Sequence, residues 1–254
     1  MVRHMHPASE DYVMFYTNSP CVVVGKNQCI YREVNHEYLR DAGTVVRRIS
    51  GGGTVYHDEG NLCFAFLSRF DDKKVNNYKY FNQPIVDVLQ RADIDAQFNE
   101  RNDILWQGKK ISGNAQFTDR KNIISHGTIL VNSDLTKLRY ALKENPFTVE
   151  TKAVSSVRSS VMNISDGSDR FKTAQELKGH FLKELPITDT ISFTDEQWQQ
   201  IRESADTKFK SFEWIWGRNP YTKIRSGDMI IEIENGIVVK SSDDALMGQR
   251  FVSF

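Results

Sequence analysis

Short apolar runs occupy residues 11–16 and 21–25, with the turn signal Asn18-Ser19-Pro20 between them, so two strands are predicted. From 32 to 42 the period changes, and Val34, Tyr38 and Ala42 share one face of a helix. Val45-Val46 opens a strand, a glycine-rich turn follows, and a second strand-like stretch ends in Asn61-Leu62-Cys63-Phe64-Ala65-Phe66-Leu67. Phe81, Ile85, Val88 and Leu89 stand at helical spacing within 80–92, with Pro84 as an alternative marker of the first turn. Residues 103–117 read as a hairpin turning at Gln107-Gly108, and 122–131 as a strand pairing close by. Ser133-Asp134 can cap a short helix carrying Leu135, Leu138 and Leu142, and Thr173 to Glu176 is a capping box for a helix over 173–185. Beyond Pro186 a polar stretch marks a boundary. Thr194 to Gln197 offers a second box for a helix reaching about Lys210, and 229–239 form a hairpin whose Asn235-Gly236 favours a type I′ turn.

Strands come in clusters with helices between them rather than in regular alternation. That predicts an α+β fold with mixed or antiparallel sheets, not a doubly wound one. A length of 254 residues suits one large domain or a large and a small one, divided here as 1–185 and 186–254. Thirty-three basic and 33 acidic residues cancel, so bulk charge gives no reason to expect a nucleic-acid partner. No stretch approaches the ~18–20 apolar residues that span a bilayer, and the start, Met1 to Pro7, has no apolar leader core. Cys21, Cys29 and Cys63 form neither a C-x-x-C pair nor a zinc spacing. An odd, low count fits a reducing cytoplasm, and the apolar runs around Cys21 and Cys63 predict burial.

The chemistry concentrates in Val45-Val46-Arg47-Arg48-Ile49-Ser50-Gly51-Gly52-Gly53-Thr54-Val55-Tyr56-His57-Asp58. Three glycines in a row cost backbone entropy and add nothing to a core. They suit a turn against which a ligand lies, with successive N–H groups forming an anion nest and arginines adding fixed charge. A phosphate or acyl phosphate fits; a tight hairpin is the plain alternative. No G-x-x-x-x-G-K-[ST] is present, so this is not a P-loop.

A second segment, Arg101-Asn102-Asp103-Ile104-Leu105-Trp106-Gln107-Gly108-Lys109-Lys110-Ile111-Ser112-Gly113, gives the glycine run its context. Together they resemble the lipoate–protein ligase family, whose outline is R-R-x-S-G-G-G-x-V-x-H-D-x-G-N, R-N-D, K-x-S-G-x-A and H-G-T-x-L-x-N. The chain holds all four in order, at Arg47 to Asn61, Arg101 to Asp103, Lys110 to Ala115 and His126 to Asn132. Lys152 to Ser159 is a fifth similar stretch.

The resemblance implies a two-step reaction: lipoate and ATP give lipoyl-AMP, then a lysine of an acceptor protein displaces AMP. It implies that Lys110 bridges the acyl and phosphate oxygens, with Lys109 a solvated neighbour. Arg48 contacts phosphate with Ser50 shaping the loop. Gly51, Gly52 and Gly53 admit the ligand, and Thr54, Val55 and Tyr56 contact nucleotide through the main chain. Asn102 orients the nucleotide, Asp103 anchors magnesium, and His126 faces the pocket. Arg47 reads either as a further contact or as a surface arginine, and His57 as a structural histidine. The partner implied is a lipoyl-acceptor domain, from a 2-oxoacid dehydrogenase acyltransferase subunit or a glycine cleavage H protein.

Three rivals remain. A transferase of the same fold uses a pocket cysteine, which in relatives falls near Arg101-Asn102-Asp103; none is there, leaving a cysteine-independent version. A biotin ligase has a different glycine–arginine loop. A non-catalytic lipoate- or adenylate-binding relative is suggested by two departures from the family pattern: only Met1 to Pro7 precede the first strand, where the family usually opens with a helix, so the chain lacks that helix or begins late, and the region from Ile230 to Phe254 looks abbreviated.

Overall fold

The computed structural model describes residues 11–253. The expectation for Met1 to Pro7 lies outside the described residues. The chain divides into two compact units, each assembled from three stretches: 1–19, 57–135 and 158–198 in the first, 20–56, 136–157 and 199–254 in the second.

The first unit is built on an antiparallel sheet in the order Tyr12–Tyr16, Asn61–Arg69, Asn122–Leu130, Asn114–Thr118. Side chains alternate faces along a strand. Phe15 pairs in register with Phe64, and with Leu62 and Ile129 they form the face covered by two helices, Tyr78–Arg91 and Ala174–Glu184. Ile85, Val88, Leu89, Leu177 and Phe181 supply the helical side of this core, and Phe15 stacks on Phe181 with ring centroids 5.2 Å apart. Each fully buried residue of this size contributes about 1.5–3 kcal/mol relative to exposure.

Asn77 caps the first helix by accepting from Tyr80 N, so Pro84 lies in its interior and does not mark its first turn. Thr173 and Glu176 form the predicted capping box of the second. Thr194 and Gln197 bond reciprocally before the helix Asp195–Ser204.

A smaller sheet joins Gln97–Phe98, Ile104–Trp106 and Lys109–Ser112, turning at Gln107-Gly108 as predicted. The hairpin is shorter than expected. It stops at Ser112, and after Gly113 the chain crosses into the large sheet, where Asn114–Thr118 pairs with Asn122–Leu130.

In the second unit Cys21–Val24 runs parallel to Val45–Arg47 and also lies beside Val55–His57. Mixed and antiparallel sheets together make the fold α+β, as the sequence predicts. Val22, Val24, Val45 and Tyr56 pack with Ile30, Val34, Leu39 and Ala141. The helix expected over 32–42 is two short ones, Ile30–Glu33 and His36–Arg40. Asn35 divides them. Its buried side chain accepts from Glu37 N and donates to Tyr140 O, a capping role that competes with helix continuation. A four-stranded antiparallel sheet orders Thr148–Thr151, Thr222–Ser226, Met229–Glu234 and Ile237–Ser241 around Ile224, Ile231, Ile233 and Val238. Its last hairpin turns at Asn235 and Gly236, both at positive φ as a type I′ turn requires. Among the described residues no helix is long and apolar enough to cross a membrane.

Candidate active site

The glycine turn belongs to the second unit. Period-two alternation sends the two arginines before it to opposite sides. Arg47 turns inward and is 2% exposed, which overturns a surface placement. Its Nε donates to Ile215 O at 2.9 Å, Nη1 to the carbonyls of Gly25 (3.1 Å), Lys26 (3.3 Å) and Gln28 (2.7 Å), and Nη2 to Asn219 Oδ1 at 2.8 Å. Burial without a carboxylate among these partners draws its pKa down to about 10, still charged at neutral pH.

Arg48 is spent on the turn itself. It donates to Gly51 O and Gly53 O at 2.6 Å each, to Ser50 Oγ at 3.1 Å and to Val23 O at 3.1 Å. Burial likewise brings it to about 10. Arg48 therefore holds the glycine turn in shape from within. Gly52 adopts φ +85°, where a side chain would be strained.

Ser50 is buried and its carbonyl accepts from Lys26 N. Thr54 donates from Oγ1 to Gln28 Oε1 (2.8 Å) and from its backbone N to Ser156 Oγ (2.8 Å), and Gln28 Nε2 closes the ring onto Ser156 Oγ at 2.9 Å. Ser156 N in turn donates to Glu33 Oε1. Val55 is half-buried, and Tyr56, 3% exposed, packs its ring into the core.

Lys110, Asp103, Asn102 and His126 belong to the first unit. The backbone of Lys110 is held on both sides, by Leu105 across the hairpin and by the 160–162 segment, where Lys110 N donates to Ser160 O and Met162 N to Lys110 O. Lys109 is exposed. Lys110 is half-buried, and its Nζ meets Asp103 Oδ1 at 2.8 Å. The side chain reaches there by passing over Gly113, where a Cβ would lie 3.0 Å from Lys110 Cε and 3.1 Å from Nζ. Asn102 sits at φ +61°, and its carbonyl accepts from Asn114 Nδ2 at 2.9 Å. His126 is half-buried opposite Ala65 and Ala115, on the sheet face away from Phe64.

The tail of the glycine motif is structural. His57 Nδ1 lies 2.8 Å from Asn18 Nδ2, and Asp58 accepts from Gly60 N and Asp134 N, so this part of the motif fixes a turn. The three cysteines are free and buried, and burial pushes the thiol of Cys21 up to about 11 and that of Cys29 upward too, away from thiolate chemistry.

Among the described residues no three His, Cys, Asp or Glu side chains cluster as a cage for a metal. A lone carboxylate beside a cation suits magnesium arriving with nucleotide, whose phosphates supply most of the oxygens. Sequence reasoning missed Gln28, Asn99 and the side-chain roles of Asn114 and Ser156. Asn114 and Ser156 carry a signal, because they fall inside family-like stretches.

Residues 1–186 match the family model described as lipoyl protein ligase A/B catalytic domain. Over 98% of its length the chain is 35% identical to the lipoate-protein ligase LplJ of Bacillus subtilis (strain 168), spanning 79% of that protein. Over 84% of its length it is 42% identical to lipoate–protein ligase 1 of Staphylococcus aureus, spanning 66% of that one. A solved lipoate-protein ligase A bound with ATP superposes with TM-score 0.71 at 26% identity, covering 84% of this chain and 88% of the other. A T. acidophilum protein with bound lipoic acid gives 0.71 at 26% over 85% and 90%. A structure from a study of a bipartite ligase and its E2 lipoyl domain, from Thermoplasma acidophilum, gives 0.71 at 25% over 84% and 87%.

Fold and relatives together define an enzyme class, the ATP-binding lipoate–protein ligases. The chain belongs to the lipoyl protein ligase A/B catalytic domain family.

Proposed function

We propose that this chain joins lipoate to ATP and then to a protein lysine. In the first step a lipoate carboxylate oxygen attacks the α-phosphorus, forming the acyl–phosphate anhydride as pyrophosphate leaves. In the second, an acceptor lysine amine attacks the acyl carbonyl, the amide forms, AMP leaves and the amine gives up a proton. Both steps need positioning and charge neutralisation more than covalent help from the protein.

Lys110 supplies that neutralisation, its ammonium bonding the acyl and phosphate oxygens together. Asp103 would hold magnesium along with the phosphates, and the ion would supply positive charge to offset that of the nucleotide. Asn102 orients the nucleotide and His126 contacts ligand. Gly51, Gly52 and Gly53 lie against ligand, shaped by Arg48 and Ser50, while Thr54, Val55 and Tyr56 offer main-chain groups. These residues fall within 1–185, with 186–254 as an accessory region; the family match to residues 1–186 supports the division. The acceptor is a lipoyl domain of a 2-oxoacid dehydrogenase acyltransferase subunit or a glycine cleavage H protein; the archaeal relative studied with an E2 lipoyl domain supports the first. The setting is the cytoplasm, whose reducing poise suits three free cysteines.

The observation that carries this reading is Lys110 crossing Gly113 to meet Asp103 at 2.8 Å, within motifs of the matched family. Intact mass spectrometry of an apo lipoyl domain, incubated with the protein, lipoate and magnesium, tests it. A lipoyl-sized gain that requires ATP is expected, and a folded Lys110→Ala variant should give neither the gain nor lipoyl-AMP. Gain without ATP only when a lipoylated carrier protein replaces free lipoate, the carrier leaving as the amide forms, would make the protein a transferase; bound lipoate with no product would make it a binding protein.

A further inference from the structure

The carboxylate that meets Lys110 is itself held. Asn99 Oδ1 accepts from Arg101 N and from Asp103 N at 2.9 Å each, an Asx turn closed by Asn99 N to Asp103 O and Asn102 N to Asn99 O, both 3.1 Å. The other end of the same amide, Asn99 Nδ2, donates to Asp103 Oδ2 at 3.3 Å. The two oxygens of Asp103 are thereby distinguished: Oδ2 faces the amide, and Oδ1 faces Lys110 Nζ at 2.8 Å. The turn is tied to the large sheet through Asn114 Nδ2 and Asn102 O.

A carboxyl torsion is broad and roughly twofold when nothing restrains it. Here one partner takes each oxygen, so the direction of Oδ1 and the place of the lysine on it follow from Asn99. We propose that Asn99 is a positioning residue for acyl activation, acting through Asp103 to set Lys110 where the reaction needs it. This rests on the reading of Lys110 and Asp103 as the reacting site's charged pair. Nothing in R-N-D or K-x-S-G-x-A covers Asn99, which precedes the first motif by two residues.

The two ends of the Asn99 amide separate a structural role from a positioning one. Asn99→Asp keeps the oxygen that accepts from Arg101 N and Asp103 N, so the Asx turn persists. It replaces the donor with a second carboxylate about 3.3 Å from Asp103 Oδ2, which repels that oxygen and competes for Lys110.

The experiment compares wild type, Asn99→Asp, Asp103→Asn and the double variant for pyrophosphate release with lipoate and magnesium-ATP, alongside thermal melting. For Asn99→Asp, kcat should fall roughly ten- to hundredfold, the cost of a small misplacement of reacting groups. The KM for lipoate should stay within about twofold, because uniform binding is untouched. Tm should stay within about 2 °C. In the Asp103→Asn background the same change should cost less than about twofold, the non-additivity expected of groups acting as a unit. Wild-type kcat in Asn99→Asp would overturn the proposal. So would a loss that adds fully to that of Asp103→Asn, which marks a turn residue only. Absence of lipoate-dependent pyrophosphate release in the wild type would instead sink the ligase reading beneath it.

Discussion

Arg47 and Arg48 are adjacent in sequence and alike in type, yet the structure gives them different work. Arg47 is a buried cation whose partners are all carbonyl or amide oxygens; Arg48 braces the glycine turn. Sequence could say that a glycine run beside arginines handles an anion, but not which arginine faces the interior, because the pairing partners Ile215 and Asn219 lie far along the chain. The guanidinium fork is what lets one side chain serve five oxygens. Arg47→Lys offers one point of donation and leaves buried acceptors unmet, so it should destabilise by about 2–4 kcal/mol. A urea titration measures this, and an unchanged midpoint would refute it. Lys110 is singled out by the sequence for the opposite reason: its immediate neighbours, from Ile111 to Ala115, make up the motif, and the structure places its ammonium on Asp103. Asn99 and Gln28 were not legible, since an asparagine or glutamine reads as a turn or surface residue until its partners are known.

Elements closed by local contacts were readable. The Asn235-Gly236 turn and the capping boxes at Thr173 and Thr194 stand where the sequence puts them. Elements decided by distant groups were not. Asn35 divides a predicted helix because Tyr140 offers it a carbonyl, and Thr148–Thr151 becomes a strand because Thr222–Ser226 lies beside it. The break after Ser112 is of this second kind, and it bears on the proposed site. Gly113 ends one sheet, begins another, and leaves room for the Lys110 side chain. Gly113→Ala puts a methyl 3.0 Å from Lys110 Cε, and the flexible lysine gives way before the backbone does. The expected result is a folded protein with nearly wild-type melting and adenylation slowed by about tenfold or more. Steady-state pyrophosphate release alongside calorimetry checks it; wild-type turnover would show that the passage over residue 113 is unimportant.

For the molecule as a whole, pH dependence follows from buried thiols and from guanidinia, one buried and one partly so, pulling in opposite directions. Cys21 is raised from 9.0 to about 11 by burial, and Cys29 is raised too. As pH climbs past 9 the unfolded chain loses these protons while the folded one keeps them, so stability falls, by about 1.4 kcal/mol per pH unit for each fully shifted thiol. Arg47 and Arg48, lowered from 12.5 to about 10, act the other way: above pH 10 the folded state sheds protons first and stability is drawn back. Urea midpoints should therefore drop between pH 8 and pH 10, and a Cys21→Ala variant should drop less. A flat profile in both proteins would contradict the burial of these thiols.

The oxygens around Arg47 also bear on how the protein is made. Ile215 and Asn219 follow Arg47 by 168 and 172 residues. At about 5–20 residues per second, a growing chain presents that guanidinium roughly 8–34 seconds before those two partners exist. Until then water must solvate the charge, and the parallel strands beside it have no closed interior to enter. The nascent protein thus carries its glycine turn, unfinished, through most of its own synthesis.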